Sequence, residues 1–393
     1  MINSIELFTG AGGLAMGMQQ AGCHHRALIE WDKDSCDTLR GNIASGFVPA
    51  KEWNVIQSDV RLIDYAGFDS SIQLISGGPP CQPFSLGGKH QAHNDRRDMF
   101  PEAVRAVREL KPKAFVFENV KGLLRKSFST YFNYIILQLS YPDVVRKENE
   151  DWIEHLAQLE KLHTSGHYAG TKYNVVPRLL NAADYGVPQS RHRVVIVGFR
   201  DDLGIEWSFP DGSYSRDALL YSKYITGEYW DIHQIATKHR TAATAAEIKK
   251  AELYAKKYAG VSFAPKPWQT VRDAIADLPD PRSKDASRIP NHEFRAGARS
   301  YAGHTGSVLD EPSKTIKAGA HGVPGGENTV VLDDGSVRYY TIRESARIQT
   351  FPDDYLFFGS WTESMRQIGN AVPVKLAKMI GKSVIKELQK GGL

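Results

Sequence analysis

Short apolar, β-branched runs alternate with helix-forming segments through residue 118, and this alternation most limits the folds open to the chain. Residues 4–8, 26–30, 72–76 and 114–118 read as strands. Residues 14–21, 33–42 and 99–110 read as helices, the last with Val104, Val107 and Leu110 on one side. A βαβα order of this kind predicts a mostly parallel sheet with helices on both faces, an α/β fold. Residues 175–180 and 193–199 read as two further strands, joined through 184–188. Ahead of them in the chain, Trp152, Ile153, Leu156, Leu159 and Leu162 share one helical face, which reads as a packing helix.

A chain of 393 residues exceeds one simple core and fits two domains. After residue 199 the texture changes to aromatic, Gly, Ser and basic residues, with a helix-forming stretch over 241–258. We place a first domain at 1–202, completed by 363–393, and a second, smaller domain at 203–355. Residues 356–393 then form a hinge and a last helix (374–389), whose apolar face of Leu376, Met379, Ile380, Val384 and Leu388 returns it to the first domain. No apolar run is long enough to cross a bilayer, and the N-terminus lacks the pattern of a signal peptide, so no membrane partner is expected. Three cysteines without paired spacing argue against a disulfide framework and against a metal site. The net charge is only +4, but residues 238–317 hold 15 Lys/Arg against 9 Asp/Glu, a local excess that suits a polyanion.

Chemistry concentrates in Gly77-Gly78-Pro79-Pro80-Cys81-Gln82-Pro83-Phe84-Ser85. Two consecutive prolines fix φ at both positions, so Cys81 leaves the end of a buried strand on a backbone with little freedom. A thiol presented in this way is a candidate nucleophile. The segment that follows, 84–97, is polar and basic (Lys89, Arg96, Arg97) and reads as a loop able to cover a substrate. Cys23 and Cys36 read instead as small buried hydrophobes.

A second candidate site opens at Phe8-Thr9-Gly10-Ala11-Gly12-Gly13, between the first strand and the first helix. Glycines there let the backbone approach a ligand at a helix N-terminus, and Glu30 follows twenty residues after Gly10. This pattern suits an adenosine-containing ligand: Glu30 for ribose hydroxyls, Trp31 for stacking on a purine, Asp59 for an exocyclic amine.

Together these segments resemble the DNA cytosine-5 methyltransferases, in order and over nearly the whole chain. Phe8 to Gly13 is similar to the family's first cofactor motif, and Glu30-Trp31-Asp32 and Asp59 to the second and third. Gly78-Pro79-Pro80-Cys81-Gln82 resembles the nucleophile motif, and Phe117-Glu118-Asn119-Val120 the Glu-Asn-Val motif. Gln189-Ser190-Arg191-His192-Arg193 matches Q-x-R-x-R, residues 343–352 the ninth motif, and Gln367-Ile368-Gly369-Asn370-Ala371-Val372-Pro373 the tenth.

The resemblance implies a doubly wound, Rossmann-like domain that uses S-adenosylmethionine, with a smaller target-recognition domain. It implies cofactor contacts from Phe8, Gly10, Gly12, Glu30, Trp31, Asp59, Pro80, Met99, Asn370 and Val372, with Met99 replacing an expected leucine. Carbon 5 of cytosine is a poor nucleophile, so the Cys81 thiolate is expected to attack carbon 6 while Glu118 meets the charge at N3. That role needs a Glu118 that spends time protonated. Arg191 and Arg193 alternate on a strand, so one or both are expected to face the site, at the base carbonyl or a flanking phosphate. The other reading is a salt bridge, more so for Arg191. The target base must leave the duplex to reach such a site. Residues 313–317 and 319–326 are the expected base or backbone contacts.

The implied partners are double-stranded DNA and, genetically, a restriction endonuclease, for a monomeric enzyme of the cytoplasm and nucleoid. Three other readings compete. A nicotinamide-dependent oxidoreductase would use the Gly10–Ala15 pattern but leaves Cys81 and Glu118 without a role. A tRNA methyltransferase of the same family should carry a Cys-Phe-Thr signature, which this sequence lacks. A catalytically silent DNA-binding relative would not need the full set of reactive residues.

Overall fold

The computed structural model describes residues 1–68, 71–80, 98–300, 305–318 and 328–390. Cys81, the 84–97 segment and residues 319–326 therefore lie outside the described residues.

The chain divides into two compact units. The first comprises residues 1–180, 192–210 and 377–393. Its elements are β1 (Ile2–Leu7), α1 (Gly13–Ala21), β2 (Cys23–Glu30), α2 (Lys33–Ala44), β3 (Val55–Gln57), β4 (Leu74–Gly77), α3 (Phe100–Leu110), β5 (Ala114–Val120), α4 (Ser129–Ser140), α5 (Trp152–Ser165), β6 (Tyr173–Asn181) and β7 (His192–Arg200). Seven strands form one sheet in the order β3-β2-β1-β4-β5-β7-β6. β1, β2, β3, β4 and β5 pair in parallel, and β7 runs antiparallel to β5. The parallel strands are connected through α1, α2 and α3, as the βαβα pattern predicts. Sequence order reverses between β1 and β4, and the ends of such strands at a reversal form the ligand crevice of doubly wound sheets.

Ile5, Leu7, Ile75, Phe115, Phe117 and Ile196 contribute the sheet's share of a continuous core. α3 adds Phe100, Ala103, Val104 and Val107, which recur at helical spacing. The long segment between β5 and β6 thickens this core. The Tyr134 hydroxyl lies 2.8 Å from His155 Nδ1, Tyr131 meets the edge of Trp152, and Leu156 and Leu159 are buried. Ile153, expected on the packing face, is exposed.

The second unit comprises residues 181–191 and 211–376. It holds β8 (Tyr214–Ser215), α6 (Arg216–Tyr224), α7 (Glu228–Ile232), α8 (Ala245–Tyr258), β9 (Lys266–Pro267), α9 (Val271–Ile275), β10 (Ser307–Val308), β11 (Thr329–Val331), β12 (Val337–Tyr339), α10 (Ile342–Ile348) and α11 (Trp361–Asn370). The last helix, α12 (Val374–Lys390), belongs to the first unit from Ala377 onward. A Cβ on Gly381 would lie 2.8 Å from Ala21 Cβ, so glycine is what lets α12 approach α1 so closely.

This division differs from the expected boundaries over 181–191, 203–210 and 356–376. Residues 181–191 join the second unit because Ser190 N–H donates to the Ser313 carbonyl and Ser313 N–H to the Pro188 carbonyl. Residues 363–376 join it because Gln349 holds the end of α11 and Val374 N–H donates to the Gln349 carbonyl.

Candidate active site

The ends of β1 and β2 build the glycine loop. Past Leu7 the chain turns through positive φ at Phe8 (56°), Gly10 (55°) and Gly12 (80°). Gly12 favours glycine for its φ of 80°, and a Cβ there would also crowd Leu39 Cδ2 at 2.9 Å. Gly10 differs: a Cβ there would meet nothing within 4 Å, so the loop faces open space.

Glu30 fixes this loop. Its Oε2 accepts from Gly10 N–H at 2.7 Å, and its Oε1 accepts from the N–H groups of Trp31 (2.9 Å) and Asp32 (2.8 Å). Burial raises the pKa of this carboxyl, opposed by the three N–H donors. The remaining lone pair of Oε2 is free to accept a hydroxyl. Trp31 beside it is 71% exposed, a large apolar ring open for stacking. Asp59 is engaged in a way the sequence did not reveal. Its carboxylate takes a forked contact from Arg61, which lowers its pKa.

The second half of the site lies where β4 ends beside β5. Gly77 pairs with Leu7 and Phe117, and a Cβ on it would lie 2.6 Å from the Leu7 carbonyl oxygen. Asn119 Nδ2 donates to the Pro79 carbonyl at 2.8 Å, and Met99 N–H donates to the Pro80 carbonyl at 3.1 Å. Both carbonyls of the proline pair are thus tied down immediately before Cys81. Asn119 also accepts from Val120 N–H at 2.8 Å, which sets its side chain.

Glu118, 8% exposed, stands on β5 opposite Val195 of β7. Arg193 Nε lies 2.7 Å from Glu118 Oε1. Burial lowers the Arg193 pKa, and the Glu118 carboxylate opposes that shift. Glu118 Oε2 lies 3.4 Å from the point a Gly78 Cβ would occupy. The structure therefore brings Glu118, Arg193 and the Pro79–Pro80 stem together.

Arg191 goes elsewhere, which corrects the expectation that it faces a base or phosphate. It precedes β7, so the strand alternation that paired it with Arg193 does not apply. Fully buried in the second unit, it donates to the carbonyls of Ile316 (3.1 Å), Gly369 (2.7 Å) and Ala371 (3.0 Å). Arg191 thus holds the backbone on both sides of exposed Asn370, while Val372 is buried. Gln189 and Gln349 complete the arrangement: Gln189 Oε1 accepts from Ile316 N–H, and Gln349 Nε2 donates to the Ile368 carbonyl. The 313–317 segment serves the same interior, with Ser313 and Ile316 buried and only Lys314 and Lys317 exposed.

Sequence reasoning missed Asn119 as an anchor and the Gln189–Gln349 pair. It also missed Glu6, which is buried on β1 with Ser76 Oγ donating to its Oε2 at 2.8 Å. Burial pushes the Glu6 pKa up to about 8. A carboxyl between Ile5 and Leu7 on an expected sheet strand was the available signal.

The profile of the C-5 cytosine-specific DNA methylases matches residues 2–143 and 146–386. The chain belongs to this family. The methylase is 32% identical over 391 residues to the type II methyltransferase M.NgoMIV of Neisseria gonorrhoeae, covering 98% of each chain. It is 33% identical to M.Eco47II of Escherichia coli, over 98% of this chain and 79% of that one. Among solved structures, the Dnmt2 methyltransferase of S. pombe superimposes with a TM-score of 0.57 at 16% identity, over all of both chains. The Entamoeba histolytica methyltransferase EhMeth gives 0.54 at 14% identity, over 99% of each. At these identities the two structures bear on the fold alone, and the fold agrees.

This methylase is a DNA cytosine-5 methyltransferase, and its family and fold imply use of S-adenosylmethionine. The tRNA reading is not favoured by these relatives. Among the described residues, no helix is long and apolar enough to cross a membrane, and no cluster of His, Cys, Asp and Glu suits a metal ion.

Proposed function

We propose that the methylase modifies carbon 5 of a flipped-out cytosine within a specific double-stranded DNA sequence, through a covalent adduct between Cys81 and carbon 6. One observation supports this most: the proline stem before residue 81 is anchored at both carbonyls beside a buried Glu118–Arg193 pair. In this reading Cys81 is the nucleophile and Glu118 meets N3. Arg193 holds Glu118 in place, while Arg191 positions backbone rather than touching substrate.

The Cys81 sulfur forms a bond to carbon 6 as the C5–C6 π pair moves towards carbon 5 and N3. Glu118 donates a proton or hydrogen bond to N3 and carries the charge that develops there. Carbon 5 then takes the methyl group, whose bond to the donor sulfur breaks with the pair left on sulfur as a neutral thioether. A base removes the carbon 5 proton, the released pair restores the double bond as the thiolate departs, and Glu118 takes back any proton given to N3.

The residues at the glycine loop fit the methyl donor. Gly10 offers open space, Glu30 an acceptor for ribose, and Trp31 a stacking face, and Phe8, Gly12, Asp59, Pro80 and Met99 are assigned to the same ligand from the motifs. Asn370 and Val372 are assigned to the same ligand from the tenth motif. Bound S-adenosylmethionine supplies an electrophilic methyl group. The relatives' names support a further step: the chain modifies DNA as the protective member of a restriction–modification pair. We assign it the monomeric state and a place in the cytoplasm and nucleoid.

Methyl-tritiated S-adenosylmethionine tests the reading. Label should pass to duplex DNA and be recovered as 5-methylcytosine; label found only in RNA, or none transferred, would reject it.

A further inference from the structure

α8 carries a basic stripe that neither the mechanism nor the family motifs use. Lys249, Lys250, Leu253, Lys256 and Lys257 recur at i, i+1, i+4, i+7 and i+8, and all are exposed. The opposite face is committed to the second unit. Ala251 is fully buried, Tyr254 packs 5.4 Å from the Tyr221 ring of α6, and Glu247 pairs with Arg216 at 3.1 Å. A Thr244–Glu247 capping box fixes the first turn. The stripe therefore stands on an anchored helix.

None of the four ammonium groups has a carboxylate partner among the described residues, although Glu252 is exposed on the same helix. Lys249 and Lys257 are eight residues apart, about 12 Å along a helix rising about 1.5 Å per residue. One DNA strand presents a phosphate about every 3.4 Å of helix axis, so the stripe spans about three or four of them.

We propose that this face of α8 binds the sugar–phosphate backbone of duplex DNA outside the recognised bases. The inference rests on the DNA methyltransferase reading and adds a second, sequence-independent contact to it. Charge complementarity requires a polyanion, and the buried inner face of α8 favours DNA over an anionic membrane surface. An interfacial helix needs a free apolar face to insert, and the inner face of α8 is spent on α6. Leu253, Val261 and Phe263 are exposed near the lysines and offer apolar contact to sugar edges.

The test compares the parent with a variant carrying Lys249→Ala, Lys250→Ala, Lys256→Ala and Lys257→Ala, and with one carrying Arg at all four positions. Affinity for target and non-target duplexes is measured across a range of salt, with thermal melting to check that each variant is folded. The alanine variant should flatten the slope of log K against log salt by about three to four on both duplexes, at about 0.9 per phosphate contact. The arginine variant should keep the parent slope. An unchanged slope in the alanine variant, or a loss confined to the target duplex, would overturn the proposal. So would binding to anionic vesicles that disappears in the alanine variant while DNA affinity holds. A parent that neither binds nor methylates DNA would instead bring down the functional reading on which the proposal depends.

Discussion

Arg193 Nε sits 2.7 Å from Glu118 Oε1, with the two side chains only 12% and 10% exposed. The pair joins two antiparallel strands, since Arg193 lies opposite Val120 and Glu118 opposite Val195. One contact thus fixes both the sheet register and the aim of a carboxyl group. Removing the guanidinium alone would strand a buried carboxylate. Arg193→Ala should cost about 3–5 kcal/mol of stability in urea unfolding, and adding Glu118→Gln should recover much of it. Glu118→Gln alone should slow methyl transfer by about 10²–10⁴-fold.

Gly77 and Gly78 are adjacent but not equivalent. A Cβ at Gly77 would lie 2.6 Å from the backbone oxygen of Leu7 on the neighbouring strand, which cannot move without breaking pairing. A Cβ at Gly78 would first meet Glu118 Oε2 at 3.4 Å, an ordinary contact. Gly77→Ala should destabilise by about 1–3 kcal/mol, as overpacking does, and Gly78→Ala by clearly less. Denaturant midpoints measure the difference.

Glu6 should make folding stability depend on pH. Its folded pKa, pushed up to about 8, lies above an unfolded value of about 4.3. Between those values the folded chain holds a proton the unfolded chain has lost, so stability falls as pH rises and levels off above about 8. Glu6→Gln removes the titration. Its stability relative to the parent should climb from about pH 4 to about pH 8, as read by urea unfolding at each pH.

Cysteine chemistry should be confined to one position. Cys23 and Cys36 are buried, and burial pushes both thiols up to about 12. Alkylation of the native protein near neutral pH should place one adduct per chain, on the peptide containing Cys81. Modification of Cys23 or Cys36 at a comparable rate would contradict this, with peptide mass spectrometry as the readout.

The parallel sheet was legible because segments 4–8, 26–30, 72–76 and 114–118 each carry a short apolar stretch and are separated by segments of helical spacing. β3 was not, since Val55–Gln57 is too short to carry a pattern. Glu30, Glu118 and the proline stem were legible from motif order. The local sequence around Arg191 looks the same whether the side chain faces a ligand or the interior. Only contacts with carbonyls at Ile316, Gly369 and Ala371, far along the chain, decide it. Asn119 was hidden for a related reason: its partner, Pro79, is forty residues away.

The account depends on a sulfur at residue 81 adding to the target ring. A fluorine at carbon 5 cannot leave as a proton, so the adduct formed after methyl transfer persists. A duplex with 5-fluorocytosine at the target should form a covalent complex with the parent in the presence of S-adenosylmethionine, linked through Cys81, and none with Cys81→Ser. Failure of the parent to form that complex, or equal trapping of Cys81→Ser, would contradict the account.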